Sequence, residues 1–290
     1  LNKYNSVLFV HGGVVLFLSF KDSLKPTFVK DQPTSDNKPL YRVPEIFTRF
    51  PSLITGESTR HGGVSPAPYH SLNLGGSTKD DPENVVENNR RFFNALQVDF
   101  KHVAKSHQVH GSEVLVVTAP GRFDGYDALI TNKPNVQLAI VVADCTPVLI
   151  FDPVQKAVAA IHAGWRGTVA EIVLKTALTL QREYGSVPED CLAYVGTCID
   201  ECSFEVGEDV AGHFNSVFKR WDAGKNKFFV DLKTANREQL VRFGLRSENI
   251  EVSPFSTVLN NEDYFSYRYE NGQTGRMLVT IGLTEQIKRG

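Results

Sequence analysis

A mixed α+β domain is what this sequence predicts, on three observations: short apolar runs rich in β-branched residues in mid-chain, segments around them whose apolar residues recur at helical spacing, and no linker-like interruption after Tyr41. In chain order, Asp81-Pro82 marks a helix start, because Asp81 supplies an N-cap acceptor and Pro82 lacks an N–H where none is needed; this helix should run to about Leu96. Val136 to Val142 is almost continuously apolar, and Val148 to Phe151 and Ala157 to Ile161 follow across short polar turns, the pattern of buried strands. From Val169 to Tyr184 the residues Val169, Ile172, Val173, Ala177, Leu180 and Tyr184 repeat at helical spacing, and Thr168 with Glu171 reads as a capping box, so a helix is expected to begin at Val169. Two more helices are expected at about Glu208 to Trp221 and Thr234 to Phe243, the second stopped by Gly244.

With 290 residues, 41% hydrophobic and 22% charged, the chain has the volume for one large core or two smaller ones. Residues 1–39 read differently from the rest: the apolar run Val7 to Phe20, broken by His11, Gly12 and Gly13, precedes a stretch to Lys38 rich in Lys, Asp, Ser and Pro. They are expected to be a weakly structured extension or an expression remnant, and 40–290 a single catalytic domain. The run Val7 to Phe20 is too short to span a bilayer and is followed by no small-residue cleavage site. A net charge of −2 and a pI near 6.5 give no general attraction for nucleic acid or anionic lipid. Cys145, Cys191, Cys198 and Cys202 are too few and too clustered for a disulfide framework, which suggests a reducing cytoplasm.

Three segments carry candidate chemistry. His110 lies in Gln108-Val109-His110-Gly111, Cys145 in Ala143-Asp144-Cys145-Thr146-Pro147, and His162 in His162-Ala163-Gly164-Trp165-Arg166-Gly167-Thr168, each at a strand end or tight turn. Two imidazoles and a thiolate suit Zn²⁺, with a fourth position left for water or substrate. The alternative is a small buried cysteine and two ordinary turn histidines. His107, three residues before His110, competes as a ligand. Gly164 to Gly167 lead into the expected helix, so backbone N–H groups there, with Arg166, form a candidate phosphate or carboxylate cradle. The Gly-rich segments Thr59 to Ser65 and Pro68 to Gly75, and the arginines of Phe265-Ser266-Tyr267-Arg268 and Thr274-Gly275-Arg276, mark further loops where a ligand can approach. Cys198 and Cys202 lack a second ligand pair and read as structural.

Taken together, Thr59-Arg60-His61-Gly62-Gly63-Val64-Ser65, Ser71-Leu72-Asn73-Leu74-Gly75, Gln108-Val109-His110-Gly111, Asp127-Ala128-Leu129, Ala143-Asp144-Cys145, His162 to Thr168, Glu205-Val206-Gly207 and Phe265-Ser266-Tyr267-Arg268 resemble the YfiH-like family. Its members are also called multicopper polyphenol oxidases, laccase-domain proteins or, in bacteria, peptidoglycan editing factors. The resemblance covers about Glu57 to Leu283. It implies an α/β/β/α sandwich with mixed sheets and a zinc held by His110, Cys145 and His162. It also implies phosphorolysis of adenosine, inosine, guanosine or methylthioadenosine, and deamination of adenosine. Arg60, Asn73 and Arg268 match positions associated with the pocket. Two departures stand out: Thr197 replaces a usual proline before Cys198, and Tyr269 replaces a usual second arginine.

A true multicopper oxidase needs a blue-copper centre and a trinuclear cluster rich in His-x-His pairs; this chain has eight histidines and no such pair. A single copper at the zinc ligands remains an alternative source of phenol oxidation. In the nucleoside reading, the metal serves deamination, and Arg166 with the helix start holds phosphate for phosphorolysis. Asp144 is expected either to orient His110 or His162 or to act as general base. A metal-free alternative makes Cys145 a nucleophile activated by His162, acting on peptidoglycan precursors.

Overall fold

The computed structural model describes residues 38–285. Most of the extension expected at 1–39 lies outside them. The two described residues of it are tied to the domain: the Thr59 hydroxyl donates to the Pro39 carbonyl (2.6 Å), and Lys38 pairs with Asp263 (3.1 Å).

Two six-stranded mixed sheets face each other. The first runs in the order β1 (Tyr41–Arg42), β2 (Leu53–Ser58), β15 (Met277–Leu283), β7 (Gln137–Val142), β3 (Val103–His107), β5 (Gly121–Asp124), antiparallel except for the β7/β3 and β3/β5 pairs. The second runs β14 (Ile250–Val252), β10 (Leu192–Val195), β8 (Thr146–Asp152), β9 (Ala157–Ala163), β6 (Ala128–Thr131), β4 (Val114–Val116), with parallel pairs at both edges. Alternation along each strand divides the apolar residues between two layers. Leu138, Ile140, Val142, Met277, Val279 and Ile281 meet Leu149, Phe151, Val158 and Ala160 in the core between the sheets. Ala139 and Leu278 point outward beneath helix α1 (Pro82–Ala95), against Phe92 and Phe93.

On the far side of the second sheet, Ala159, Ile161, Ala193 and Val195 pack under two helices, Ile172–Tyr184 and Leu232–Phe243. The layers are therefore α/β/β/α, as the sequence resemblance implies. A small antiparallel sheet, β11 (Glu205–Val206), β13 (Lys227–Val230), β12 (Lys219–Asp222), closes one end.

Helix α1 follows its cap: the Asp81 carboxylate accepts the Glu83 N–H with Pro82 at the first position. Of the three central strands, β8 and β9 extend beyond their expected cores by one to two residues at an end, and β7 begins one residue later than expected. The helix expected from Val169 is instead split into α2 (Trp165–Val169) and α3 (Ile172–Tyr184), with Glu171 between them at φ 59°. The Thr168–Glu171 capping box does not form. Thr168 donates its hydroxyl back to the Gly164 carbonyl (3.0 Å), inside α2, and the Glu171 carboxylate reaches Arg242. The start of α3 is capped from another element: Gln239 of α5 (Leu232–Phe243) accepts the Val173 and Leu174 N–H groups at 3.1 and 3.2 Å.

The helix expected over Glu208 to Trp221 is confined to α4 (Glu208–Ala211). Residues 219–222 form β12 instead, because Trp221 packs on Phe228 across a hairpin whose turn is held by Asp222 accepting the Gly224 and Lys225 N–H groups. Helix α5 ends as expected, with Gly244 left-handed at φ 114°.

Candidate metal centre and cavity

The open ends of the two sheets bring His110, Cys145 and His162 together. Cys145 ends the turn between β7 and β8, one residue before β8, His162 lies near the end of β9 opposite Pro147, and His110 sits in the turn after β3. Their ligating atoms lie within 4.8 Å of one another, and no other such group occurs among the described residues. The His110 and His162 rings meet edge to face at 4.9 Å. His107, the competing ligand in the sequence, points away to Asp124 (2.8 Å), and Cys198 and Cys202 form no metal clip.

One carboxylate organises this group, and it is Asp127, at the head of β6. Its Oδ1 accepts His162 Nδ1 at 2.7 Å and the His110 N–H at 3.0 Å; its Oδ2 accepts the Gly111 and Val109 N–H groups at 2.8 and 3.1 Å. These bonds fix His110 in the left-handed region, φ 59°, and leave His162 with Nε2 turned toward Cys145. Burial alone would raise the Asp127 pKa, but the bonds from His162 and the loop N–H groups hold it below the usual carboxylate range.

Asp144 was expected to orient a histidine or act as base; the orienting role falls to Asp127. Asp144, itself at φ 81°, accepts the Thr257 hydroxyl (2.5 Å) and the Arg268 N–H (2.6 Å). Burial raises its pKa despite these donors.

Glycines make room for the centre. A side-chain carbon at Gly164 would lie 3.1 Å from the His110 ring and 3.2 Å from the Cys145 sulfur. One at Gly167 would lie 2.8 Å from the Gly111 carbonyl, so Gly167 is buried under the His110 turn rather than facing ligand. The helix start in this stretch is at Gly164–Trp165, ahead of the position expected for a phosphate cradle.

In the metal-free protein the half-buried thiol and the buried imidazole act as a pair. Burial opposes charge on both, yet the His162 charge and the His110 and His162 hydrogen bonds bring Cys145 down to about 6. The Cys145 charge and the Asp127 bond take His162 up to about 9. A thiolate beside an imidazolium results, and a metal ion replacing the shared proton meets a preformed donor set.

The centre opens into a cavity of about 840 Å³, within the range of small-molecule sites. Of the other residues singled out in the sequence, Arg166 and Arg268 line it; Arg166 lies over the Trp165 ring (4.3 Å), and Arg268 donates to the Glu205 carbonyl (2.9 Å). Arg60 and Asn73 do not line it. Arg60 is tied to Glu270 and to the carbonyls of His70 and Asn261. Asn73 accepts the Arg276 N–H (3.0 Å) and so positions a cavity residue without reaching the cavity. The Thr197 departure has a structural use: its N–H and hydroxyl both donate to the buried Glu57, at 2.7 and 2.8 Å, which a proline there does not allow. Tyr269 is exposed and does not line the cavity.

Residues 54–284 match the family model described as multi-copper polyphenol oxidoreductase laccase. A purine nucleoside phosphorylase of Deinococcus radiodurans is 40% identical over 252 residues, 86% of this chain and 95% of that protein. The purine nucleoside phosphorylase YfiH of Escherichia coli is 38% identical over 231 residues, covering 78% and 92%. The crystal structure of YlmD from Geobacillus stearothermophilus superposes with a TM-score of 0.81 at 30% identity, covering 89% of this chain and 99% of that one.

Proposed function

Since the chain belongs to the multi-copper polyphenol oxidoreductase laccase family, we propose that it is a zinc enzyme that phosphorolyses purine nucleosides, namely adenosine, inosine, guanosine and methylthioadenosine, and deaminates adenosine. The observation that carries this is the His110–Cys145–His162 donor set, held by one buried carboxylate at the wall of a cation-lined cavity. Two nitrogens and a thiolate suit zinc, and three protein ligands are the number that leaves a position for substrate. Copper at the same ligands is the alternative metal. When bound, the ion supplies Lewis acidity for deamination and for charge developing on the substrate.

The chain's own side chains do the rest. Asp127 keeps the Nδ1 proton of His162 engaged, so that Nε2 is free to ligate. Trp165, Phe204 and Tyr267 offer apolar faces to a purine, and Arg166 and Arg268 offer positive charge to an anionic co-substrate nearby. Asp144, whose burial favours its protonated form, is positioned in the same wall to exchange a proton. All four cysteines are free, which agrees with a cytoplasmic setting.

One observation favours a second reading. Asp127, His162 and Cys145 stand in the order of a carboxylate–imidazole–thiol relay, which suits a cysteine hydrolase when no metal is bound. Metal content separates the two, measured beside base release from adenosine and inosine with and without phosphate, for the wild type and Cys145→Ala. About one zinc per chain, with phosphate-dependent base release, and loss of both in the variant, supports the nucleoside enzyme. Absence of metal and of turnover supports the hydrolase.

A further inference from the structure

We propose that Lys105 and Arg122 form a subsite for a phosphoryl anion on the α1 side of the cavity, away from the His110–Cys145–His162 centre. The register of the first sheet creates it. Lys105 of β3 and Arg122 of β5 are direct partners in a parallel pair, so both side chains leave the same face of the sheet. Arg276 shares that face but stands four residues along β15 from the Lys105 row, at the metal-centre end, where the Asp144 and Cys145 charges act on it. Gln108, which also lines the cavity, has its side-chain amide fastened to both backbone groups of Val141 at 2.8 Å.

Five cations line the cavity: Lys105, Arg122, Arg166, Arg268 and Arg276. None of them forms an ion pair among the described residues. The single lining carboxylate, Asp144, lies at the centre's end and takes the Arg268 N–H. Asp124, next but one after Arg122 on β5, is occupied by His107. Lys105 has one neutral acceptor, Asn89 Oδ1 (2.5 Å), and lies 5.4 and 5.5 Å from the Phe93 and Phe100 rings.

Arg276 spends one Nη on the Thr274 and Gly275 carbonyls, leaving the rest of its fork unused. Its stem lies where a side chain at Gly75 would clash, 2.5 Å from Cγ. Adjacent cations assembled without a counter-charge destabilise a fold unless a ligand supplies one, and burial with the Arg122 charge already pulls Lys105 down to about 7. A tetrahedral dianion offers acceptors to an ammonium and a guanidinium fork at once.

Two sources share that chemistry: inorganic phosphate as co-substrate, and a monoester carried by the nucleoside. The choice between them rests on the nucleoside reading; the subsite itself does not. The test is calorimetric titration of the full chain with inorganic phosphate, adenosine 5′-monophosphate and adenosine, for the wild type, Arg122→Gln and Lys105→Met. Arg122 is exposed, so its variant keeps the fold if Lys105→Met does not.

Each substitution is expected to weaken the phosphoryl ligand by about tenfold or more and to leave adenosine unchanged. Weakening of inorganic phosphate assigns the subsite to the co-substrate, and weakening of the monophosphate alone assigns it to the ester. Unchanged affinity for both, or no binding of either by the wild type, overturns it. Lost binding in the variants without nucleoside turnover in the wild type would overturn the enzyme assignment and leave the subsite standing.

Discussion

Replacing Asp127 by Asn tests the organisation of the centre with the smallest change of shape. The carboxylate accepts four donors, two on each oxygen. An amide has one acceptor end. With its oxygen toward His162 and His110, its NH₂ group confronts the Val109 and Gly111 N–H groups; flipped, it confronts His162 Nδ1 and forces the proton onto the nitrogen that should ligate. Either way two hydrogen bonds to a charged acceptor are lost, at about 1.5–3 kcal/mol each, or about 3–6 kcal/mol together. That is a large part of the roughly 5–15 kcal/mol that stabilises a typical domain.

At the lower figure Tm falls by about 6–12 °C. Metal affinity, read by competition against a chromophoric chelator, falls about 10–100-fold, as for other partners of ligating histidines. The sign with pH follows from the depressed Asp127 pKa. Its stabilisation is fully present above the ordinary carboxylate range and is lost as pH falls through the lowered value, so at pH 7 the whole difference is visible and the variant's acid limb is shallower. An Asn variant with unchanged Tm and unchanged metal affinity at pH 7 would refute the reasoning.

Other expectations follow from the same geometry. In metal-free protein, alkylation of Cys145 by iodoacetamide should rise with a midpoint near pH 6, and metal should suppress it; a midpoint near that of an ordinary thiol rules out the His162 pairing. Gly164→Ala places a carbon 3.1–3.2 Å from His110 and Cys145 and should weaken metal binding severalfold with little loss of Tm; unchanged affinity shows that the walls yield. Thr197→Val removes one donor from the buried Glu57 and should cost about 1–3 kcal/mol in denaturant unfolding while metal content stays at wild-type level; a neutral result means that Tyr194 and the Thr197 N–H suffice.

What could be read from the sequence was what is encoded locally. The Asp81 cap, the Gly244 stop and the apolar runs of β7, β8 and β9 each carry their signal within a few residues, and each element stands where expected. The start of α3 does not, because its cap is Gln239, distant in the chain, which overrides the local Thr168–Glu171 pattern. The residue types of the centre were legible, but the choice of His110 over His107 depends on a left-handed turn imposed from β6. Asp127 was visible only as part of the motif Asp127-Ala128-Leu129; its reach to both His162 and the 109–111 turn is tertiary. Lys105 and Arg122 carry no mark in the sequence, since strand register alone makes them neighbours.

The three ligands differ in depth: His162 is buried, Cys145 half-buried and His110 exposed. On the proposed reading, an ion seated among them would exchange past the exposed His110 ring, on the cavity side that a substrate would also occupy. Occupancy of the cavity and exchange of the ion become mutually exclusive traffic: a bound ligand acts as a stopper, slowing capture by chelators even where the equilibrium affinity for the ion is unaltered. An enzyme at work would then hold its metal longer than the same enzyme at rest.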